Sequence, residues 1–164
     1  YVKQYWPTLK ARLLAGEEPT VEIVSDSANQ RAGASVGSLH RLLGGRIACA
    51  SGADRFKVEM QLRQVGLAEC FGGHVFSGHE MPATKPAPDV YLAAAAALSV
   101  PPERCLVVED TVTGVTAGVA AGATVWGYAP GGAGHGSAEA LRAAGASAIF
   151  ADMALLPHLC GQVG

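Results

Sequence analysis

Two adjacent carboxylates, Glu109 and Asp110, close a short apolar, β-branched run over residues 105–108, and this junction is where the chain could do chemistry. Such a run makes a buried parallel strand, and packing gives no reason to end one in acids. In open α/β sheets the ligand crevice lies beyond the carboxyl ends of the strands, so the pair would offer oxygen ligands to a hard cation, with Mg²⁺ the natural candidate. Upstream, Lys85 sits in Thr-Lys-Pro-Ala-Pro-Asp, where two prolines fix φ and remove amide donors. A lysine on so stiff a loop is a positioned ammonium, and that suits a phosphate. Ser51 follows a second apolar run at residues 46–50 and adds a hydroxyl at the start of a helix, where amides and a hydroxyl together form a ready anion site.

Each of these residues also has a plainer role. Ser51 could cap the following helix, the acid pair could interact with a helix macrodipole, and Lys85 alone would be a solvated surface lysine. What sets them apart is that all three groups fall where the elements would place them together. Strands are expected at 46–50, 74–78, 105–108, 123–128 and 147–150. Helices are expected at 34–43, at 54–65 with Phe56, Met60 and Leu62 available for burial, and at 89–98, halted by Pro101 and Pro102. Gly114, Gly118 and Gly122 then recur every four residues. The first two would let a helix lie close on the sheet, and the third would cap it. The pattern predicts an α/β fold, a Rossmann-like three-layer core on a parallel sheet.

KPAPDVYLAAAAAL followed by ERCLVVEDTVTGVTAGVAAGA resembles the second half of the haloacid dehalogenase superfamily, in its β-phosphoglucomutase-like phosphatase branch. The resemblance covers residues 33–130 well and the last thirty loosely. It implies that Lys85 holds the transferring phosphoryl group, that Glu109 and Asp110 bind Mg²⁺, and that Ser51, with the backbone amide of Gly52, binds phosphate. Lys85 and Ser51 would thus be the catalytic side chains present. It further implies hydrolysis of a small phosphorylated metabolite through an aspartyl-phosphate, or a phosphomutase reaction of the same kind.

One departure is decisive. The family's first strand ends in Asp-x-Asp-Gly-Thr, whose first aspartate attacks phosphorus, and no such sequence occurs here. The nearest imitation, VEIVSDSAN at residues 21–29, is an apolar stretch running up to Asp26, but position 28 is alanine and no Gly-Thr follows. The chain opens on Tyr1, and its motifs arrive early for a full family member. The expectation is therefore a fragment that lacks the nucleophile strand and most of the cap, with residues 1–32 a cap remnant and linker and 33–164 the core. Such a fragment should be inactive. Its two half-sheets would each show an unpaired edge, leaving it poorly stable, or would close up and pair directly.

The remaining features bound the reading. With 12 Lys and Arg against 14 Asp and Glu, there is no basic footprint for nucleic acid. The longest apolar run is too short to span a bilayer. Four scattered cysteines without a CxxC pair point to free thiols in a reducing cytoplasm. Residues 2–15 read as an amphipathic helix whose Tyr5 and Trp6 pack the cap or shape a pocket. His74 and His79 lack the further ligands a metal motif needs. The glycine-rich loop at 130–137, with Asp152 beyond it, is a poor match to a dinucleotide-binding turn. A non-catalytic domain that binds a phosphorylated ligand or a partner chain is the rival to an enzyme, and oligomeric state is not legible.

Overall fold

The computed structural model of the protein describes residues 39, 43, 44, 46–131 and 136–161. The expected cap helix, the 21–29 stretch, the 32/33 boundary and most of the 34–43 helix lie outside them. Within them the order is β1 (Cys49–Ser51), α1 (Arg55–Gln64), α2 (Ala68–Phe71), β2 (Val75–Ser77), α3 (Asp89–Ala97) and β3 (Leu106–Glu109). There follow α4 (Val112–Ala120), β4 (Thr124–Tyr128), α5 (Ala138–Ala143), β5 (Ala148–Phe150) and α6 (Leu156–Gly161). Every strand and helix expected within the described stretch is present, within a few residues of its expected bounds. The short α2, α5 and α6 were not anticipated, because four to six residues carry too little periodicity to read.

All strand pairs are parallel, which requires crossovers and buries both faces of the sheet. On one face of β3-β4-β5, α4 and α5 bury Val115, Ala117 and Leu141 completely, with Val107 and Val125 of the strands in the same cluster. On the other, Leu156 of α6 joins Phe150 and Leu39 over Val108, Trp126 and Tyr128. Each large side chain so buried stabilises by about 1.5–3 kcal/mol. The β1-β2 pair is covered by α1 through Val58 and Leu62 against Val75. Val90 and Tyr91 of α3 belong to the main cluster, and Ala50 and Phe76 of the small sheet pack against it, so α3 joins the two sheets.

Among the described residues β1 pairs only with β2, and β3 with β4, so the strands form two separate sheets. The direct closure of β1 onto β3 does not occur. A groove of about 760 Å³ runs between them, lined in part by Ala48, Ala50, Val107, Val108 and Trp126. At the strand ends a side chain, not a backbone ladder, links β1 to β3: Lys85 donates to the Ala50 carbonyl and to Glu109.

Helix ends follow from local chemistry. Asp54 caps α1 by accepting from Lys57 N at 3.3 Å, and Thr111 caps α4 by accepting from Gly114 N at 3.1 Å. At the far end of α4, Gly122 takes φ +85°, donating to Val119 O while Ala123 N donates to Gly118 O, the paired bonds of a Schellman stop. Helix α3 stops with the same two bonds, from Ser99 N to Ala96 O and Val100 N to Ala95 O, but with serine at φ 55°. A left-handed non-glycine residue costs roughly 1–2 kcal/mol, offset in part by glycine's greater freedom in the unfolded chain. Ser99→Gly is therefore expected to stabilise the chain by about 0.5–1 kcal/mol in urea unfolding; a loss of stability would show the turn to be unstrained.

Candidate functional site

The chemistry predicted from the strand ends converges on the carboxylate of Glu109. Its Oε1 accepts from Lys85 Nζ at 2.5 Å and from the Tyr91 hydroxyl at 2.6 Å. Its Oε2 accepts from the Asp110 and Thr111 amides at 3.2 and 3.3 Å and from the Thr111 hydroxyl at 3.0 Å. Both Lys85 and Glu109 side chains are only 11% exposed. Burial works to raise the Glu109 pKa, but the Lys85 ammonium, with hydrogen bonds from Lys85, Tyr91 and Thr111, outweighs it and holds the carboxyl below its ordinary range.

Lys85 has three protons to donate, and the structure supplies acceptors on three elements. They are Glu109 Oε1 at the end of β3, the Tyr91 hydroxyl on α3 at 2.7 Å, and the Ala50 carbonyl on β1 at 3.3 Å. The loop expected to hold this lysine is a tight turn closed by Ala87 N to Thr84 O at 2.9 Å. Burial, reinforced by the charge of Glu109, raises the Tyr91 pKa far above its usual value, so the hydroxyl stays protonated and donates.

Ser51, last in β1, is adjacent to the Ala50 carbonyl that Lys85 contacts, and its Oγ accepts from Ala53 N at 3.1 Å. The plainer role open to it, capping α1, is taken by Asp54. Its loop, which includes Gly52, is tied down from β2. Fully buried Ser77 donates to Ala53 O at 2.7 Å and accepts from His79 N at 3.2 Å. Arg55 makes two bonds of 2.6 Å to Glu80, linking the first turn of α1 to the segment that leads to Lys85. Asp110 follows Glu109, and its carbonyl accepts from Gly136 N at 2.7 Å, which places Gly136 beside the acid pair.

Gly114 has a different purpose from the one its spacing suggested. A Cβ there would fall on the Glu109 carboxylate, so glycine makes room for the acid. Gly118 does serve the packing: a Cβ would lie 2.8 Å from Val125 and 3.3 Å from Val107.

Glu109 and Asp110 would be the carboxylates offered to a hard cation. Two carboxylates are all that Mg²⁺ commonly takes from a protein, the rest being waters and phosphate oxygens. Among the described residues no three His, Cys, Asp or Glu side chains cluster as a self-sufficient metal site. The glycine-loop acid Asp152 caps a short turn instead, accepting from Ala154 N at 2.9 Å. The four cysteines are free, and burial pushes the Cys49 thiol up to about 11, against the pull of Lys85, so it is no nucleophile near neutral pH. No described helix is long and apolar enough to cross a membrane.

Sequence reasoning missed Tyr91 and Thr111 as members of the site. The signals were a lone tyrosine in an alanine-rich helix, whose hydroxyl needs a partner once buried, and a threonine at the N-cap position directly after the acids.

Known proteins resemble this chain in sequence and in fold. Residues 5–122 match the model for haloacid dehalogenase-like hydrolases. The bifunctional riboflavin kinase/FMN phosphatase of Arabidopsis thaliana is 44% identical over 80 residues, 48% of this chain and 21% of that one. A haloacid dehalogenase family hydrolase from Deinococcus radiodurans, solved with phosphate and sodium bound, is 37% identical with a TM-score of 0.66, covering 79% of this chain and 58% of that one. CbbY from Rhodobacter sphaeroides, solved with xylulose-(1,5)-bisphosphate, is 26% identical with a TM-score of 0.60, over 82% of this chain and 59% of its own. The chain thus spans less than two thirds of each of these relatives.

Two outcomes test the geometry. Gly→Ala in an ordinary helix interior stabilises by roughly 1 kcal/mol, whereas Gly114→Ala is expected to destabilise by about 1–3 kcal/mol through forced displacement of Glu109, and a stabilised variant in urea unfolding would contradict the assignment. Glu109→Gln leaves Lys85 without its counter-charge and should cost about 3 kcal/mol at pH 7. Because folding lowers the Glu109 pKa, its contribution is complete above the unfolded value of about 4.3 and is lost as pH falls through the folded one. The gap between parent and variant should hold from pH 7 to 5 and narrow below about 4; a gap that widens in acid would reverse the assignment.

Proposed function

Because the chain belongs to the haloacid dehalogenase-like hydrolase family, we propose that the protein it represents carries out Mg²⁺-dependent phosphoryl transfer, hydrolysing a small phosphorylated metabolite in the cytoplasm. The observation that carries this reading is the convergence of Lys85, Glu109 and the Ser51 end of β1 at one buried point, where the Lys85 ammonium touches both strands. Relatives solved with phosphate or a sugar bisphosphate support the substrate class.

Phosphoryl transfer asks a protein for positioning and charge stabilisation more than for covalent chemistry. Lys85 would neutralise one equatorial phosphoryl oxygen. The Ser51 hydroxyl and the Gly52 amide would hold another at the start of α1, where orphan amides favour an anion. Asp110 would meet the cation, with Glu109 shared between the cation and Lys85. When bound, Mg²⁺ would screen the charge of the phosphate and of the attacking carboxylate. That carboxylate is the first aspartate of an Asp-x-Asp-Gly-Thr strand, which the 164 residues do not contain. Residues 1–32, read as part of a cap above the 33–164 core, would help select the substrate.

A second reading is a domain that binds phosphate without turning it over, since binding alone could retain Lys85, Ser51, Glu109 and Asp110. Both readings predict that the pure chain binds inorganic phosphate saturably in the presence of Mg²⁺ and hydrolyses no p-nitrophenyl phosphate. Lys85→Ala should weaken binding at least tenfold, about 1.4 kcal/mol. Calorimetry and a release assay check both points: metal-dependent hydrolysis by the chain alone would refute the assignment of the nucleophile, and unchanged binding in Lys85→Ala would refute the site. Asp-x-Asp-Gly-Thr in the upstream coding sequence decides for the enzyme, and its absence for the binder.

A further inference from the structure

We infer that Tyr91 is a positioning residue for Lys85, its hydroxyl and Glu109 holding the ammonium from the α3 and β3 side while the proton aimed at β1 is left to a phosphoryl oxygen. The inference rests on the phosphate-site reading of Lys85 and adds a residue to it.

The three bonds of Lys85 are not equal. Those to Glu109 and Tyr91 are 2.5 and 2.7 Å, and that to the Ala50 carbonyl is 3.3 Å, beyond the usual range for N–H···O. The weakest bond points at the residue next to Ser51, the side from which a phosphate held by the Ser51 loop would arrive. A phosphoryl oxygen is a charged acceptor and forms a stronger bond with an ammonium than a carbonyl does, so the exchange is favourable at that position, whereas Glu109 is already a charged acceptor and the Tyr91 oxygen is held at short range by its own bond to Glu109.

An ammonium on a four-carbon stem paired with one carboxylate alone can swing about the contact. Tyr91 removes that freedom. Its oxygen accepts from Lys85 while its proton goes to the same Glu109 oxygen, closing a triangle with sides of 2.5, 2.6 and 2.7 Å. The ring is rigidly placed, because Tyr91 is buried in the core cluster beside Val90 and Val107. The ammonium also lies 4.6 Å from the ring centroid, a charge–ring attraction that phenylalanine would keep. Tyr91→Phe thus isolates the hydroxyl.

The test is inorganic phosphate binding to the full chain with Mg²⁺ present, measured by calorimetry for the parent, Tyr91→Phe and Lys85→Ala. Alongside it, ¹H–¹⁵N NMR observes the Lys85 ammonium. Tyr91→Phe is expected to weaken phosphate about five- to tenfold, with circular dichroism unchanged and the Lys85 ammonium signal shifted and its proton exchange accelerated. A merely structural role for the hydroxyl would lower the melting temperature without moving that signal. Affinity within twofold of the parent, together with a large loss in Lys85→Ala, would overturn the role of Tyr91 and leave the phosphate site standing. No phosphate binding by the parent would overturn both. Should Tyr91→Phe fail to fold, the parent decides alone: a slowly exchanging Lys85 ammonium with a nuclear Overhauser contact to the Tyr91 ring supports the inference, and an ammonium exchanging at the solvent rate overturns it.

Discussion

A lysine on a turn and a glutamate at the end of β3, each about nine-tenths removed from solvent, meet where β1 and β3 lie side by side without pairing. Removing two charges from water is expensive, and the attraction between them offsets that cost only with close geometry and with the remaining lone pairs and protons satisfied. Much of the surrounding structure meets this demand. Thr111 caps α4 and donates to Glu109 with the same hydroxyl, Gly114 clears the space the carboxylate occupies, and Tyr91 completes the shell. The Lys85 turn delivers the ammonium on a segment with little freedom of its own.

This arrangement also explains how the two sheets relate. A backbone ladder between β1 and β3 would need the strands about 4.7–4.9 Å apart, and the Lys85 ammonium bonds to both of their ends instead. Farther down, α3 spans the division with Val90 and Tyr91, leaving the apolar groove open between Ala50 and Val107. The interaction that assembles the chemical groups is thus also one of the few that hold the halves of the core in register. Stability and site geometry are coupled here, so a substitution at Glu109 or Gly114 reaches both.

The second device is the anchoring of the Ser51 loop. Ser77, at the end of β2, fastens the loop through Ala53, and the Arg55–Glu80 pair ties the first turn of α1 to the segment after β2. Burial makes the Ser77 bond the more valuable of the two, since an exposed ion pair is screened by water even when bidentate. The loop and the Lys85 turn are therefore referenced to a common strand, which keeps the hydroxyl and the ammonium at a fixed relation.

The strands and longer helices were legible because their cause is local. A β-branched run ended by acids, an alanine run ended by prolines and a glycine at a helix stop each fix backbone geometry within a few residues. Lys85, Ser51 and the acid pair stood out for the same reason, as chemistry at element ends. Which oxygen each group meets was not legible. That Glu109 takes Lys85, that Tyr91 six residues on closes the triangle, and that Gly114 serves a carboxylate all depend on contacts between residues 5 to 35 positions apart. So does the open groove where direct strand pairing was one expectation. Sequence periodicity encodes which face of an element is apolar, whereas the angle and depth at which two elements dock, and so the partner of a buried polar group, are set by the packing of the whole core.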